Sequence, residues 1–390
     1  MPHRYLPQTS PLLTLSPTST LTYLTNALED IISNFPPRNR YPSEFLHGLW
    51  SGPTGIAYLL LQVSSRKPEL TIAGRTVKDW ARAYIGSTPA SRGHNLRLGS
   101  HGCGIGDERL AYEAVRCSVF AGEDSDTDRQ NVKTFVRSVM QIMDAVSEYP
   151  DELLYGRAGT LYLLRMVRTW VSGCDDLIGP AIVEVENAML GNAPNWKWRG
   201  KRYLGAAHGD IGIVTQLVLT SPELAPRLED TLSRLLEMQR EDGNWPSSEE
   251  AASLGGGKGL VQFCHGAPGF VTSLLSLREF FPNLHDKIDA AVERGRECIW
   301  QQGLLKKEPC LCHGIFGNAL TLARGEKRDH FLAVAVPENV ARLKAQDPTV
   351  FERADYGRSY SLTTSYTPSA VWTWLVAGDE SPSILAYNDI

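Results

Sequence analysis

A short glycine turn recurs at intervals of 48 to 57 residues along most of the chain, and an apolar segment follows each copy. The copies end at Gly55, Gly106, Gly159, Gly212, Gly269 and Gly317. A fixed period of this length is typical of repeat folds in which each repeat is one supersecondary unit. One further period leads to Pro368, inside SLTTSYTPS (361–369), where an apolar run follows but both glycines are absent. We predict a degenerate seventh copy there.

The segments after the turns predict buried helices, because they are apolar on nearly all sides. They read IAYLLLQV, DERLAYEAVRC, TLYLLRMVRTW, IVTQLVL, FVTSLLSLREF and NALTLA. Amphipathic segments lie between them, with charges on a 3.6-residue rhythm, at Asp128–Val146, Pro222–Arg240 and Asp286–Gln302. Each repeat is therefore predicted to contain an outer amphipathic helix, a glycine turn and an inner buried helix.

Helical hairpins of this kind either stack into an open solenoid or close into a ring. An open solenoid needs polar capping repeats at its ends, but the first copy, HGLWSGPTGIAYLLLQ, is as apolar as the middle ones. We therefore predict an all-α fold, a double-layered α/α toroid of seven inner and seven outer helices, forming a single domain over residues 1–390. The turns would gather on one face, where helix N-termini offer free N–H groups and the positive end of the helix dipole.

The composition excludes several classes of protein. The chain is 42% hydrophobic and 21% charged, as ordinary globular proteins are. Its net charge of −5 argues against a nucleic-acid binder, and no apolar run approaches the ~20 residues of a membrane-spanning helix. The N-terminal segment lacks the pattern of a secretory signal. Seven cysteines without a regular framework indicate a reducing compartment, so a cytoplasmic location is expected.

Two neighbouring copies carry a Cys-His pair immediately before the turn glycine: Cys264-His265 and Cys312-His313. Zinc favours thiolate and imidazole ligands, and Cys₂His with one open position is a known catalytic set. Four donors for three positions leave the ligand set open, and buried free cysteines beside turn histidines are the alternative interpretation. His208 has the same offset in the fourth copy without a neighbouring cysteine, which suits a general acid or base.

The sequence resembles the lanthionine synthetase C-like family, especially its eukaryotic, glutathione-binding branch. The resemblance is carried by LLYGRAGTLYLL (153–164), WRGKRYLGAAHGDIGI (198–213), GNWPSS (243–248), LVQFCHGAPGF (260–270) and LLKKEPCLCHGIFGNA (304–319). Family members are α-barrels of seven plus seven helices with zinc at one end. The resemblance implies Cys264, Cys312 and His313 as zinc ligands, with His265 outside the ligand set, and His208 as the active-site histidine.

The resemblance also implies residues that hold the thiol substrate. By motif alignment these are Arg4 near the N-terminus, Lys307 before the second Cys-His-Gly and Arg358 before the last repeat. Arg157 of YGRAG follows the eukaryotic pattern and is expected to contribute. Bacterial cyclases place an aspartate just upstream of that position, and Glu152 stands near it here. The basic stretch WKWRGKR (196–202) predicts either further carboxylate contacts from its last two residues or a solvated loop with one packed tryptophan.

The function implied is zinc-dependent addition of glutathione, or another small thiol, to an α,β-unsaturated acceptor. The resemblance suggests dehydroalanine or dehydrobutyrine in a peptide or protein as that acceptor. Three alternatives stay open at this point: a small electrophilic metabolite as the acceptor, a non-catalytic glutathione-binding adaptor that retains zinc, and a scaffold whose zinc is closed by a fourth ligand such as His265.

Overall fold

The structure is a computed structural model that describes residues 4–16, 18–86, 97–99, 101–145, 149–253, 259–353 and 360–390. These residues contain sixteen α-helices and one small antiparallel hairpin, β1 (Thr71–Ile72) and β2 (Arg75–Thr76). None of the described helices combines the length and the apolar character needed to cross a bilayer.

Seven helices form an inner ring: α2 (Pro53–Arg66), α4 (Glu108–Phe120), α6 (Arg157–Trp170), α8 (Asp210–Thr220), α11 (Ala267–Leu277), α13 (Ile315–Thr321) and α16 (Tyr366–Val376). Each packs against the next, and α16 packs against α2, so the ring is closed. The helices are buried on nearly all sides, as their apolar sequences predict; in α8 every residue except Leu219 is buried.

Seven further helices form the outer layer. The first, α1 (Ser19–Asn34), packs on the last inner helix, α16, and thereby joins the two ends of the described chain. The others each pack on the inner helix that precedes them: α3 (Val77–Ile85), α5 (Ser125–Ala145), α7 (Asp175–Gly191), α9 (Ala225–Glu237), α12 (His285–Gln302) and α14 (Glu326–Val334). Two helices, α10 (Glu249–Ser253) and α15 (Pro337–Gln346), lie outside this pairing. The predicted toroid of seven inner and seven outer helices is confirmed, and the three predicted outer helices match within three residues at each end.

Outer helix α9 is held on the inner ring by one apolar face. In α9 the buried residues include Leu228, Leu232, Leu235 and Leu236, whose spacing puts them on the side that faces the inner ring. Full burial of a leucine side chain contributes about 1.5–3 kcal/mol, so this stripe anchors α9 on the inner ring.

Glycines at the turns allow the backbone of each turn to fold closely back on itself. Gly266 has φ of 109°, and a Cβ there would lie 1.9 Å from the carbonyl oxygen of Leu260. A Cβ on Gly317, one turn inside α13, would lie 1.9 Å from the carbonyl oxygen of Leu311. The predicted seventh copy is present without glycine, since α16 begins at Tyr366 with Ser365 as its cap residue.

The centre of the ring is filled by the C-terminal segment, residues 384–390, for which no sequence pattern gave a signal. The backbone carbonyl of Tyr387 accepts hydrogen bonds from Arg165 (3.1 Å) and Gln216 (3.0 Å). The Asp389 carboxylate accepts from the hydroxyls of Tyr58 (2.7 Å) and Tyr162 (2.9 Å). These partners lie on inner helices, so the segment forms a floor behind the face where the turns gather.

Candidate functional site

A cavity of about 370 Å³ lies on the face where the inner helices begin. Every one of the seven turns contributes to its wall, and the C-terminal segment closes it from behind. The lining residues include Trp50, Ile105, Leu153, Ala207, His208, Cys264, His265, Cys312, Thr363, Thr364 and Tyr387. Because helix N-termini carry positive partial charge, a ring of seven of them favours an anionic sulfur or carboxylate in this cavity. The expected gathering of the turns on one face is confirmed.

His208 stands at this wall, immediately before the cap residue of α8. Its ring stacks on the indole of Trp198, with centroids 4.0 Å apart and planes 8° from parallel. Its Nδ1 lies 2.6 Å from Oε2 of Glu152, close enough for a strong hydrogen bond. With Nδ1 held by the carboxylate, Nε2 is the ring nitrogen left to act on a molecule in the cavity.

Glu152 is fixed in its turn by the backbone that follows it. The side chain is 1% exposed, and its oxygens accept hydrogen bonds from the backbone N–H groups of Leu154 (3.0 Å) and Tyr155. The carboxylate therefore holds the third turn together and orients His208 of the fourth. The sequence offered one signal for this role, the nearby position of an acidic residue in bacterial cyclases. No sequence pattern indicated that Trp198 stacks on His208.

Cys264 and Cys312 meet at the cavity wall, as their places in neighbouring turns predict. The backbone N–H of Cys264 donates to the carbonyl of Cys312 (3.2 Å), and Nε2 of Gln262 donates to the Cys264 sulfur (3.0 Å). The two thiols are also joined by a hydrogen bond, which lowers the pKa of Cys264 well below the usual thiol range. One of the two sulfurs is thus prepared to be a thiolate.

The sulfurs of Cys264 and Cys312 are of the chemical type that binds zinc. Two thiols in contact at a cavity wall are soft ligands of the kind that zinc prefers, and His313 follows Cys312 directly in the chain with its side chain buried, 1% exposed. Within the described ranges, no three His, Cys, Asp or Glu side chains are already grouped closely enough to hold one ion. His265 also lines the cavity, and burial lowers its imidazole pKa.

Two of the basic residues expected to hold the thiol lie on or beside the segment that precedes Cys312, and neither side chain is among those that line the cavity. Nζ of Lys307 donates to Oε1 of Gln262 (3.2 Å), the residue that also contacts the Cys264 sulfur. Exposed Arg4 lies beside this segment, because the carbonyl oxygen of Arg4 accepts a hydrogen bond from the backbone N–H of Lys306 (2.9 Å). Arg358 lies outside the described residues.

Arg157 is placed differently. Its guanidinium is buried, forms an ion pair with Asp151 (2.9 Å) and donates to the carbonyl of Tyr149 (2.5 Å), and the side chain is not among those that line the cavity. In the basic stretch, Trp196 is the packed tryptophan and Arg202 pairs with buried Asp210 (2.8 Å). These two arginines therefore serve local ion pairs.

Comparison with known proteins gives a consistent result. The family model described as "Lanthionine synthetase C-like protein" matches residues 114–330, more than half of the chain. "Glutathione S-transferase LANCL1" of Danio rerio is 32% identical over 198 residues, which is 46% of this chain and 47% of the relative. "LanC-like protein GCL1" of Arabidopsis thaliana is 32% identical over 181 residues, 43% of this chain and 40% of the relative. The alignments thus span less than half the length of these two curated relatives.

Proposed function

This chain belongs to the lanthionine synthetase C-like family, and we propose that it adds the thiol of glutathione to α,β-unsaturated acceptors such as dehydroalanine and dehydrobutyrine residues in peptides or proteins. The observation that carries the proposal is the meeting in one cavity of the thiols of Cys264 and Cys312 with His208, whose ring is held by a hydrogen bond to buried Glu152. The name of the zebrafish relative, a glutathione S-transferase, supports glutathione as the thiol.

Zinc is the proposed cofactor, held by Cys264, Cys312 and His313, and when bound it supplies a positive charge that lowers the pKa of a substrate thiol. The chain's own residues orient that thiol. We expect Lys307, whose Nζ contacts Gln262 beside Cys264, and Arg4 to pair with the carboxylates of glutathione, and the helix N-termini around the cavity to stabilise its negative charge.

His208 completes the proposed reaction. The sulfur forms a bond to the β-carbon of the acceptor, the electrons of the C=C bond move to the α-carbon and its carbonyl, and the α-carbon then takes a proton. Nε2 of His208 donates that proton, and the Glu152 carboxylate stabilises the protonated ring before transfer. The thiol proton is released to solvent and His208 takes up a proton from solvent, so the net reaction joins R–SH across the double bond.

The test is mass spectrometry of a dehydroalanine peptide incubated with glutathione and the zinc-loaded full-length chain. We expect an adduct heavier by one glutathione, formed far above the rate without protein. Cys312→Ala should abolish it, and Cys174→Ala, a change at a buried cysteine outside the cavity, should not. If the adduct forms only at the uncatalysed rate while glutathione still binds, the result favours a non-catalytic glutathione-binding adaptor over an enzyme.

A further inference from the structure

A second, larger depression adjoins the cavity on its outer side. Its volume is about 620 Å³, and its lining includes Asp151, Tyr155, Asn195, Lys197, Trp198 and Arg199. Three of these residues, Tyr155, Trp198 and Arg199, also line the cavity. We call this depression the outer groove. A molecule lying in it has only the shared wall between itself and the reacting groups.

The shared wall is an aromatic stack that ends at the proton donor. The rings of Tyr155 and Trp198 are nearly parallel, with centroids 6.2 Å apart and planes 10° from parallel, and the indole of Trp198 in turn stacks on His208. The guanidinium of Arg199 lies 4.7 Å above the same indole. Trp198 is therefore held by contacts from both the outer groove and the cavity.

The charges of the outer groove favour an anionic occupant. The charge of Asp151 is balanced by Arg157, and the other oxygen of its carboxylate accepts a hydrogen bond from Asn192 (2.8 Å). Lys197 and Arg199 are exposed, and neither forms an ion pair with a described residue. The net local charge is thus positive, although the whole chain carries −5. A charge pattern of this kind selects a partner of opposite sign.

We infer that the outer groove binds the acceptor as a polypeptide segment, with acidic residues flanking the dehydroamino acid. This inference rests on the proposed function, because it names the acceptor of that reaction. A small electrophile would need only the cavity, whereas a polypeptide extends beyond it, and the exposed amide of Asn195 suits the backbone groups of an extended chain. The unsaturated side chain enters the cavity past Trp198, and the flanking carboxylates pair with Lys197 and Arg199.

The first experiment measures binding without reaction. A fluorescent peptide with alanine at the reactive position and flanking Asp and Glu residues is titrated with the full-length chain, beside a peptide that carries Asn and Gln instead. We expect tighter binding of the acidic peptide, weakened by salt, and a loss of about two- to fivefold with Lys197→Glu. Lys67→Glu, at an exposed lysine just after the end of α2, is the matched control and should bind as the unmodified chain does.

The second experiment compares kcat/KM for the acidic dehydroalanine peptide with that for N-acetyl-dehydroalanine amide. Lys197→Glu and Asn195→Asp should both lower the ratio of the two values. Equal binding of the acidic and neutral peptides, or an equal effect of the Lys67 control, would overturn the inference. Because the binding experiment needs neither thiol nor zinc, peptide binding without any adduct would refute the proposed function and leave the outer groove standing. If the adduct forms but Lys197→Glu leaves the ratio of the two kcat/KM values unchanged, the outer-groove inference is refuted and the proposed function stands.

Discussion

Replacing Glu152 with glutamine tests whether its carboxylate positions His208 for proton transfer. The two carboxylate oxygens serve three donors: Oε2 accepts from His208 (2.6 Å) and from the backbone N–H of Leu154 (3.0 Å), and Oε1 accepts from the N–H of Tyr155. A glutamine has one oxygen, so in either orientation its NH₂ group faces at least one of these donors. The substitution therefore affects the turn and the histidine together.

The expected magnitudes follow from these contacts. A buried N–H left without an acceptor costs about 1–3 kcal/mol, so we expect the free energy of unfolding to fall by about that amount. A hydrogen bond to a charged group contributes about 1.5–3 kcal/mol. If the hydrogen bond between residue 152 and the protonated His208 ring is lost, kcat should fall by about 10- to 150-fold, at 1.4 kcal/mol per factor of ten.

The assay combines urea unfolding with steady-state addition of glutathione to a dehydroalanine peptide at saturating concentrations of both. Glu249→Gln is the control, because Glu249 is a carboxylate paired with Arg202 (3.0 Å) and Arg234 (2.5 Å) that is not among the cavity-lining residues. A folded Glu152→Gln variant with kcat within twofold of the unmodified chain would refute the role of Glu152 as a positioning residue.

Three further predictions concern the scaffold, each measured by urea unfolding. Gly317→Ala places a Cβ 1.9 Å from a backbone carbonyl oxygen and should lower the free energy of unfolding by about 1–3 kcal/mol. Its control is Gly179→Ala in α7, whose Cβ meets no atom within 4 Å and which should raise the free energy of unfolding by about 0.5–1 kcal/mol. Equal effects of the two substitutions would contradict the packing argument. Asp389→Ala removes the acceptor of two buried tyrosine hydroxyls and should lower the free energy of unfolding by about 1–3 kcal/mol, and no change would show that the C-terminal segment is not anchored there. Burial lowers the pKa of His330 from 6.5, so the unfolded chain takes up its proton first as the pH falls. The stability due to this neutral histidine is complete above pH 6.5 and is lost below it; His330→Gln should lose less stability than the unmodified chain between pH 7.5 and pH 5, and an equal loss would refute the assignment.

Much of the fold could be predicted because the repeat leaves few alternatives. The spacing of the turns set the number of repeats, and the apolar first copy predicted closure, which the contact between α16 and α2 confirms. The same spacing placed Cys264 and Cys312 in neighbouring turns, where they meet. These inferences succeed because residues at the same offset from the turn glycine occupy equivalent places in successive repeats of the ring.

The rest depends on contacts that no spacing encodes. Trp196 and Trp198 are two residues apart in the same basic stretch, yet one packs against α7 and the other stacks on His208. The local backbone conformation decides which tryptophan takes which place, and at Arg199, directly after Trp198, φ is 49°. The C-terminal segment shows no helical or strand periodicity, so its place in the centre of the ring follows only from the hydrogen bonds it makes there.

The seventh copy shows how the ring closes beside Cys312 without its glycines. In that copy Ser365 has φ of −105°, an ordinary backbone conformation for any residue, so the cap of α16 does not need glycine. Ser369, one turn into the helix, accepts a hydrogen bond from the backbone N–H of Leu311 (3.2 Å), and the N–H of Cys312 donates to the carbonyl of Thr363 (2.7 Å). The last turn is therefore bonded directly to the turn that carries a proposed zinc ligand. The glycine-bearing fifth and sixth turns are joined by the equivalent bond, from the N–H of Cys264 to the carbonyl of Cys312 (3.2 Å). The seventh turn therefore keeps the same link, and the cavity wall is closed at Thr363 without either glycine.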